Sequence, residues 1–174
     1  MLAGCPSVSV VLNRADAVEA IEVATQRLLR TVDRFSDQDI ERPSLLPGWT
    51  RGHVLAHVAL TADAMRNLLV WARTGVPVAA YASQAARDAA VEAGAGRSAS
   101  ALLSELSESA ERFHSEVAAM PEQAWQRHVR VLAGAEFPAV QLPAAKPTPR
   151  SVAAVYSSPA SSRTPINAEA ATVV

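Results

Sequence analysis

Two histidines four residues apart, His53 and His57, follow a helix-start signal in L-P-G-W-T-R-G-H-V-L-A-H-V, residues 46–58. An α-helix turns about 100° per residue, so positions i and i+4 share a face and both imidazoles can address one point. Neutral imidazole is the commonest metal ligand among side chains and also a hydrogen-bonding group. The spacing therefore fits a metal site and fits equally a pair of structural, hydrogen-bonded histidines. Glu111 and His114 have the E-x-x-H spacing of di-iron bundles. Such sites repeat the motif on two helices and add glutamates from two more. This sequence has one copy, which reads as the exposed polar face of a helix. Cys5 is the single cysteine, which excludes an internal disulfide framework and a cysteine-rich zinc site. It stands too near a mobile terminus for a credible nucleophile. No glycine-rich phosphate loop, nucleophile elbow or dinucleotide fingerprint occurs.

The elements that must position these groups are legible from caps and periodicity. Thr50 is a good N-cap, Pro47-Gly48 supplies the preceding turn, and Trp49 can pack back on the first turn. The histidine helix is expected to run to residue 74 and stop at Gly75, with Leu55, Val58, Met65, Leu69 and the neighbourhood of Trp71 in its core stripe. Ahead of it, Val18, Ile21, Leu28, Val32 and Phe35 recur at helical steps and predict an amphipathic helix over 14–35. Ser36 caps a short turn over 37–40. A short helix or irregular lid is expected over 83–94, with Arg87 in it. Ser98 or Ser100 starts a third long helix that carries Leu102, Leu103, Leu106, Phe113 and Val117 until Pro121 ends it. Residues 122–130 read as another short turn of helix, and 128–135 as extended.

The 174 residues can hold one domain with a real core, and 49% hydrophobic with 19% charged places the chain among soluble globular proteins. A net charge of −1 produces no field that would recruit nucleic acid or an anionic membrane. No apolar run approaches the roughly 20 residues of a membrane span. Leu2-Ala-Gly-Cys5 mimics a lipoprotein cleavage motif, but only four residues precede the cysteine, too few for a signal. The cytoplasm is the expected compartment. Residues 1–12 read as a disordered extension, 13–143 as a helical bundle, and 144–174 as a disordered Pro/Ala/Ser-rich tail. Six of the eleven prolines lie in 138–165, and Pro143, Pro147 and Pro149 together are expected to prevent a helix there.

Further motifs follow the histidines: N-L-L-V-W-A-R-T-G at residues 67–75 and Y-A-S-Q-A-A-R at 81–87. In order and spacing, over residues 13–143, the chain resembles the mycothiol-dependent maleylpyruvate isomerase family. That resemblance implies an all-α, DinB-like four-helix bundle and places zinc or another divalent metal on His57. A glutamate and a histidine from a later E-x-x-x-H segment would complete the site. Arg87 falls on the family's active-site arginine and would pair with a substrate carboxylate; beside Asp88 it also reads as a surface ion pair. The implied partners are mycothiol and a small-molecule substrate. A thiolate would add to the cis double bond of maleylpyruvate, the new single bond would rotate, and expulsion of the thiol would leave fumarylpyruvate; a related mycothiol transfer to another electrophile is the other activity the resemblance implies.

The E-x-x-x-H segment is missing. No Asp or Glu has a histidine four residues later, and no histidine follows His128. Catalytic zinc normally takes three protein ligands, so His57, even with His53 added, leaves the metal site incomplete in the monomer. The bundle is expected to be incomplete at its C-terminal helix, and the lost helix to expose apolar stripes that invite a homodimer. A shifted reading frame, a truncated product or a natural disordered tail would each account for the segment. The alternative function is a non-catalytic family member, at most a weak metal-binding or interaction module. His57 is expected to face the bundle interior and His53 its mouth.

Overall fold

The computed structural model describes residues 14–145. The expected extension over 1–12 and all but the start of the expected tail lie outside the described residues. Helix α1, Arg14–Val32, buries Ala17, Ile21, Leu28 and Val32, the one stripe its periodicity allows. It stops three residues before Phe35. The Asp33 amide still reaches the Leu29 carbonyl, but the Phe35 amide tightens onto Val32 and turns the chain away. Ser36 then caps α2, Asp37–Glu41, in a capping box with Asp39.

The central element is α3, Arg51–Thr74, against which α2, α4, α5 and the strand β1 all pack. Burial on several sides explains why its apolar residues, among them Val54, Leu55, Ala59, Met65, Leu68 and Leu69, spread beyond one stripe. Gly75 ends it at φ +78°, its amide bonded to the Trp71 carbonyl, a left-handed conformation that a side chain would strain. The segment predicted as a short helix or lid is a regular helix, α4, Gln84–Ala95, capped by Ser83. Helix α5, Ala99–Ala118, starts at Ser98, whose hydroxyl accepts from the Ala101 amide. Asp37 adds a carboxylate to its N-terminus by accepting from the Ala99 amide at 2.8 Å.

Past Pro121 the helical turn is shorter than the sequence suggests. A 3₁₀ turn spans Glu122–Gln126, and Arg127 is already extended. The Arg127 guanidinium reaches back to the carbonyls of Ala72 and Arg73 at 2.9 and 3.0 Å and so caps α3. Strand β1, His128–Arg130, pairs antiparallel with β2, Glu136–Pro138, with Val129 opposite Phe137. Gly134 at φ +84° makes the turn between them. The bundle therefore carries a small hairpin beside its helices.

A last helical turn, α6, Leu142–Ala145, departs from the expectation for Pro143. Proline in a first turn removes an amide that has no intrahelical acceptor, so Pro143 is compatible with the start of a helix.

The interior has two apolar clusters. One gathers Met65, Leu68, Leu69, Phe113, Trp125 and Val129; the other gathers Leu28, Val32, Ile40, Leu55, Leu102 and Leu106. The expected exposed apolar stripe is not seen among the described residues. The large apolar side chains left exposed, Val23, Leu45, Val76 and Leu132, are scattered over α1, two loops and the hairpin turn. No helix among the described residues is long and apolar enough to cross a membrane. The helical-bundle class read from the sequence is the class observed.

Candidate functional site

His53 and His57 leave the first turns of α3 toward α4, and both rings pack against Trp49, at centroid distances of 6.0 and 5.5 Å. The loop before α3 sets Trp49 there: Gly48 takes φ +79°, and the Trp49 amide bonds to the Leu46 carbonyl. The two histidines nonetheless serve different ends.

His53 closes the capping box of α3 as the N3 residue, a position usually held by Glu or Gln. Its Nδ1 accepts from the Thr50 amide at 3.2 Å and lies 2.8 Å from Thr50 Oγ1. Its Nε2 lies 3.1 Å from Glu92 Oε2 on α4. Both ring nitrogens of His53 are thus engaged, one on its own helix start and one across to α4.

His57 Nδ1 lies 3.3 Å from Arg87 Nη2 and 3.4 Å from Thr61 Oγ1. Thr61 is buried one turn further along α3, and the Tyr81 hydroxyl donates to it at 3.4 Å. Burial first, and the Arg87 charge second, push the His57 pKa down from 6.5 to about 4. The ring is therefore neutral at pH 7. Arg87 also donates from Nη1 to Asp88 at 2.8 Å. Gln84 first, then Arg87, hold the Asp88 carboxyl below its usual range. Arg87 thus bonds Asp88 and also reaches the His57 ring. Among the described residues its Nε is buried with no hydrogen-bond partner, a donor that an acceptor could satisfy.

The close fit of α4 on α3 depends on glycines. A Cβ on Gly52 would lie 2.2 Å from the Ala95 carbonyl oxygen, and one on Gly94 would lie 2.7 Å from the Ala56 Cβ. This backbone approach brings α4 near enough for Arg87 to reach His57.

Thr61 was not singled out from the sequence, although it stands four residues after His57 and so shares its face, and Tyr81 entered only as the first residue of the Y-A-S-Q-A-A-R motif. Glu92 carried no signal at all. Of the other quoted positions, Asn67 donates to the Ala79 carbonyl at 3.4 Å, and Trp71 packs on the core. Glu111 is exposed on α5, and His114 packs its ring on Phe113 at 5.7 Å.

As a metal site the arrangement falls short. Among the described residues no three His, Cys, Asp or Glu side chains gather as a metal would require. Past Ala145 the sequence adds no His, Cys or Asp and one carboxylate, Glu169. The groups around His57 Nδ1 are a cation and a hydroxyl, so the described residues do not fit a three-ligand zinc centre.

The helical bundle thus sets a neutral imidazole against a mostly buried arginine on the seam of two closely apposed helices. The chain belongs to the mycothiol maleylpyruvate isomerase N-terminal domain family, whose pattern matches residues 21–144. It is similar to the crystal structure of a mycothiol-dependent maleylpyruvate isomerase, with a TM-score of 0.75 and 29% identity over 81% of this chain and 58% of that one. A histidine-to-alanine mutant described as the same enzyme matches with a TM-score of 0.72 and 29% identity, over 76% of this chain and 55% of the other. The chain thus spans little more than half the length of these relatives. Among curated proteins, none matches it.

Proposed function

We propose that this chain forms the carboxylate-binding half of a site for mycothiol-dependent cis–trans isomerisation, with maleylpyruvate as the model substrate. The observation that carries the reading is Arg87: a guanidinium packed against a neutral histidine, with one buried donor unpartnered. A planar guanidinium binds a carboxylate through two parallel N–H bonds, which orients as well as attracts. Maleylpyruvate offers carboxylates at both ends.

In the reaction a thiolate sulfur bonds to an alkene carbon while the π pair moves onto the conjugated carbonyl. The former double bond rotates, the pair returns, and the carbon–sulfur bond breaks to release the thiolate. No net proton is taken or given. Arg87 would hold the substrate and favour the negative charge that develops. His57 is a poor base for the thiol, because a group with a pKa of about 4 takes little proton from a thiol whose pKa is about 8.5. Zinc enters no step, since the described residues do not supply its donor set. Binding rather than turnover is therefore what these residues support. A cytoplasmic setting suits a chain with one cysteine.

The test is calorimetric titration of maleylpyruvate, together with turnover in the presence of mycothiol. Wild type should bind the substrate and Arg87→Met should bind it about tenfold more weakly or worse, while turnover stays at the rate of the free thiol. Unchanged affinity in Arg87→Met, or turnover that His57→Ala abolishes, would overturn the proposal.

A further inference from the structure

The hydrogen-bond partners of His57 decide which of its nitrogens carries the proton. A guanidinium has only donors, so Arg87 Nη2–H at 3.3 Å can meet Nδ1 only as a bare lone pair. Thr61, at 3.4 Å from Nδ1, has its own oxygen engaged by the Tyr81 hydroxyl, which leaves its hydrogen free to point the same way. A neutral ring with Nδ1 bare carries its hydrogen on Nε2.

This arrangement inverts what a metal-binding histidine needs. A histidine that ligates through Nε2 donates its Nδ1–H to a carboxylate, carbonyl or water, which fixes the tautomer and raises ligand basicity. Here the Nδ1 side faces a cation. An Nε2–H nitrogen has no lone pair for a metal, and Nδ1 is accessible only if Arg87 withdraws.

We propose that Arg87 is a positioning residue that fixes His57 as the Nε2–H tautomer and keeps metal ions off it, so that His57 meets a bound ligand as a hydrogen-bond donor. The proposal rests on the reading above for the identity of that ligand, but the ring's tautomer and its metal response are measured without ligand or turnover. An N–H donor beside a cation suits a carboxylate or an enolate oxygen, both acceptors only.

Long-range proton–nitrogen NMR correlations of the histidine rings, on the metal-free chain at pH 7, read the tautomer directly. His57 should show a protonated Nε2 and a bare Nδ1 in wild type. Thr61→Val should keep that pattern, because the arginine alone enforces it. Arg87→Met should lose it, and Co²⁺ alone should then perturb the His57 resonances at concentrations about tenfold or more below those needed in wild type. Arg87→Lys, which retains a donor-only cation, should stay near wild type and covers the case in which the methionine variant fails to fold. An Nδ1–H ring in wild type, a tautomer switched by Thr61→Val alone, or equal Co²⁺ sensitivity with and without Arg87 would overturn the proposal. Failure of substrate binding with the tautomer as stated would remove the isomerase reading and leave this one standing.

Discussion

Helix α3 meets α5 through apolar side chains and two ion pairs, and meets α4 through two histidines and the bare backbone of Gly52. On the α5 side Phe113 and Leu102 are fully buried. Arg112 forks onto Asp63 with two bonds of 2.9 Å, and Arg73 reaches Glu116. On the α4 side the residues that α4 itself buries are Val91 and Gly94. Apolar burial at about 25 cal/mol per Å² makes the first seam the source of cohesion. The second holds mainly by close backbone contact and polar partners. Arg87 and His57 meet on this weaker seam, so the proposed site lies where elements yield to a ligand at least cost.

Phe113→Ala should break the strong seam and have the largest effect. Deleting a fully buried ring costs about 3–5 kcal/mol, read as a lower urea midpoint. Gly52→Ala should open the weak seam, because its methyl would collide with the Ala95 carbonyl. Overpacking of this kind costs about 1–3 kcal/mol, and amide exchange should rise in α4 while α5 stays protected.

Acid should weaken the same seam. His57 has a folded pKa of about 4 against 6.5 unfolded, so as pH falls through this interval the unfolded state takes up the proton first. Stability is full above about pH 6.5 and declines towards pH 4 by at most about 3 kcal/mol. His57→Gln should flatten the urea midpoint over that window. The depressed carboxyls Asp39, Asp88 and Glu122 act lower, losing their contribution as pH falls below about 4. Glu92→Gln should have the smallest effect, within about 0.5 kcal/mol, because the Glu92 side chain is 79% exposed.

The two seams also differ in how far the sequence disclosed them. Apolar periodicity and caps located α1, α3 and α5 because burial and capping leave marks at fixed spacings: Thr50, Gly75 and Ser98 stand where the helices start and stop. The site was legible only in part. The spacing of His53 and His57 showed a shared face, but it could not show that His53 spends Nδ1 on the Thr50 amide, since a histidine at N3 is not a recognised capping signal. Tyr81 and Glu92 reach α3 across 20 and 39 residues of chain, and no local pattern encodes such a meeting. Strand β2 is three residues long and ends in Pro138, too short for an alternation to register. The start of α6 was missed because Pro143 was weighed as a helix breaker rather than as a first-turn residue.

Amide hydrogen exchange with and without maleylpyruvate, in wild type and Arg87→Met, tests most directly whether the α3–α4 seam is where ligand is held. The account predicts slower exchange across α4 on adding maleylpyruvate to wild type, no such change in Arg87→Met, and an α5 indifferent to ligand in both. Protection that falls on α5, that persists without Arg87, or that is absent from α4 in wild type would contradict it.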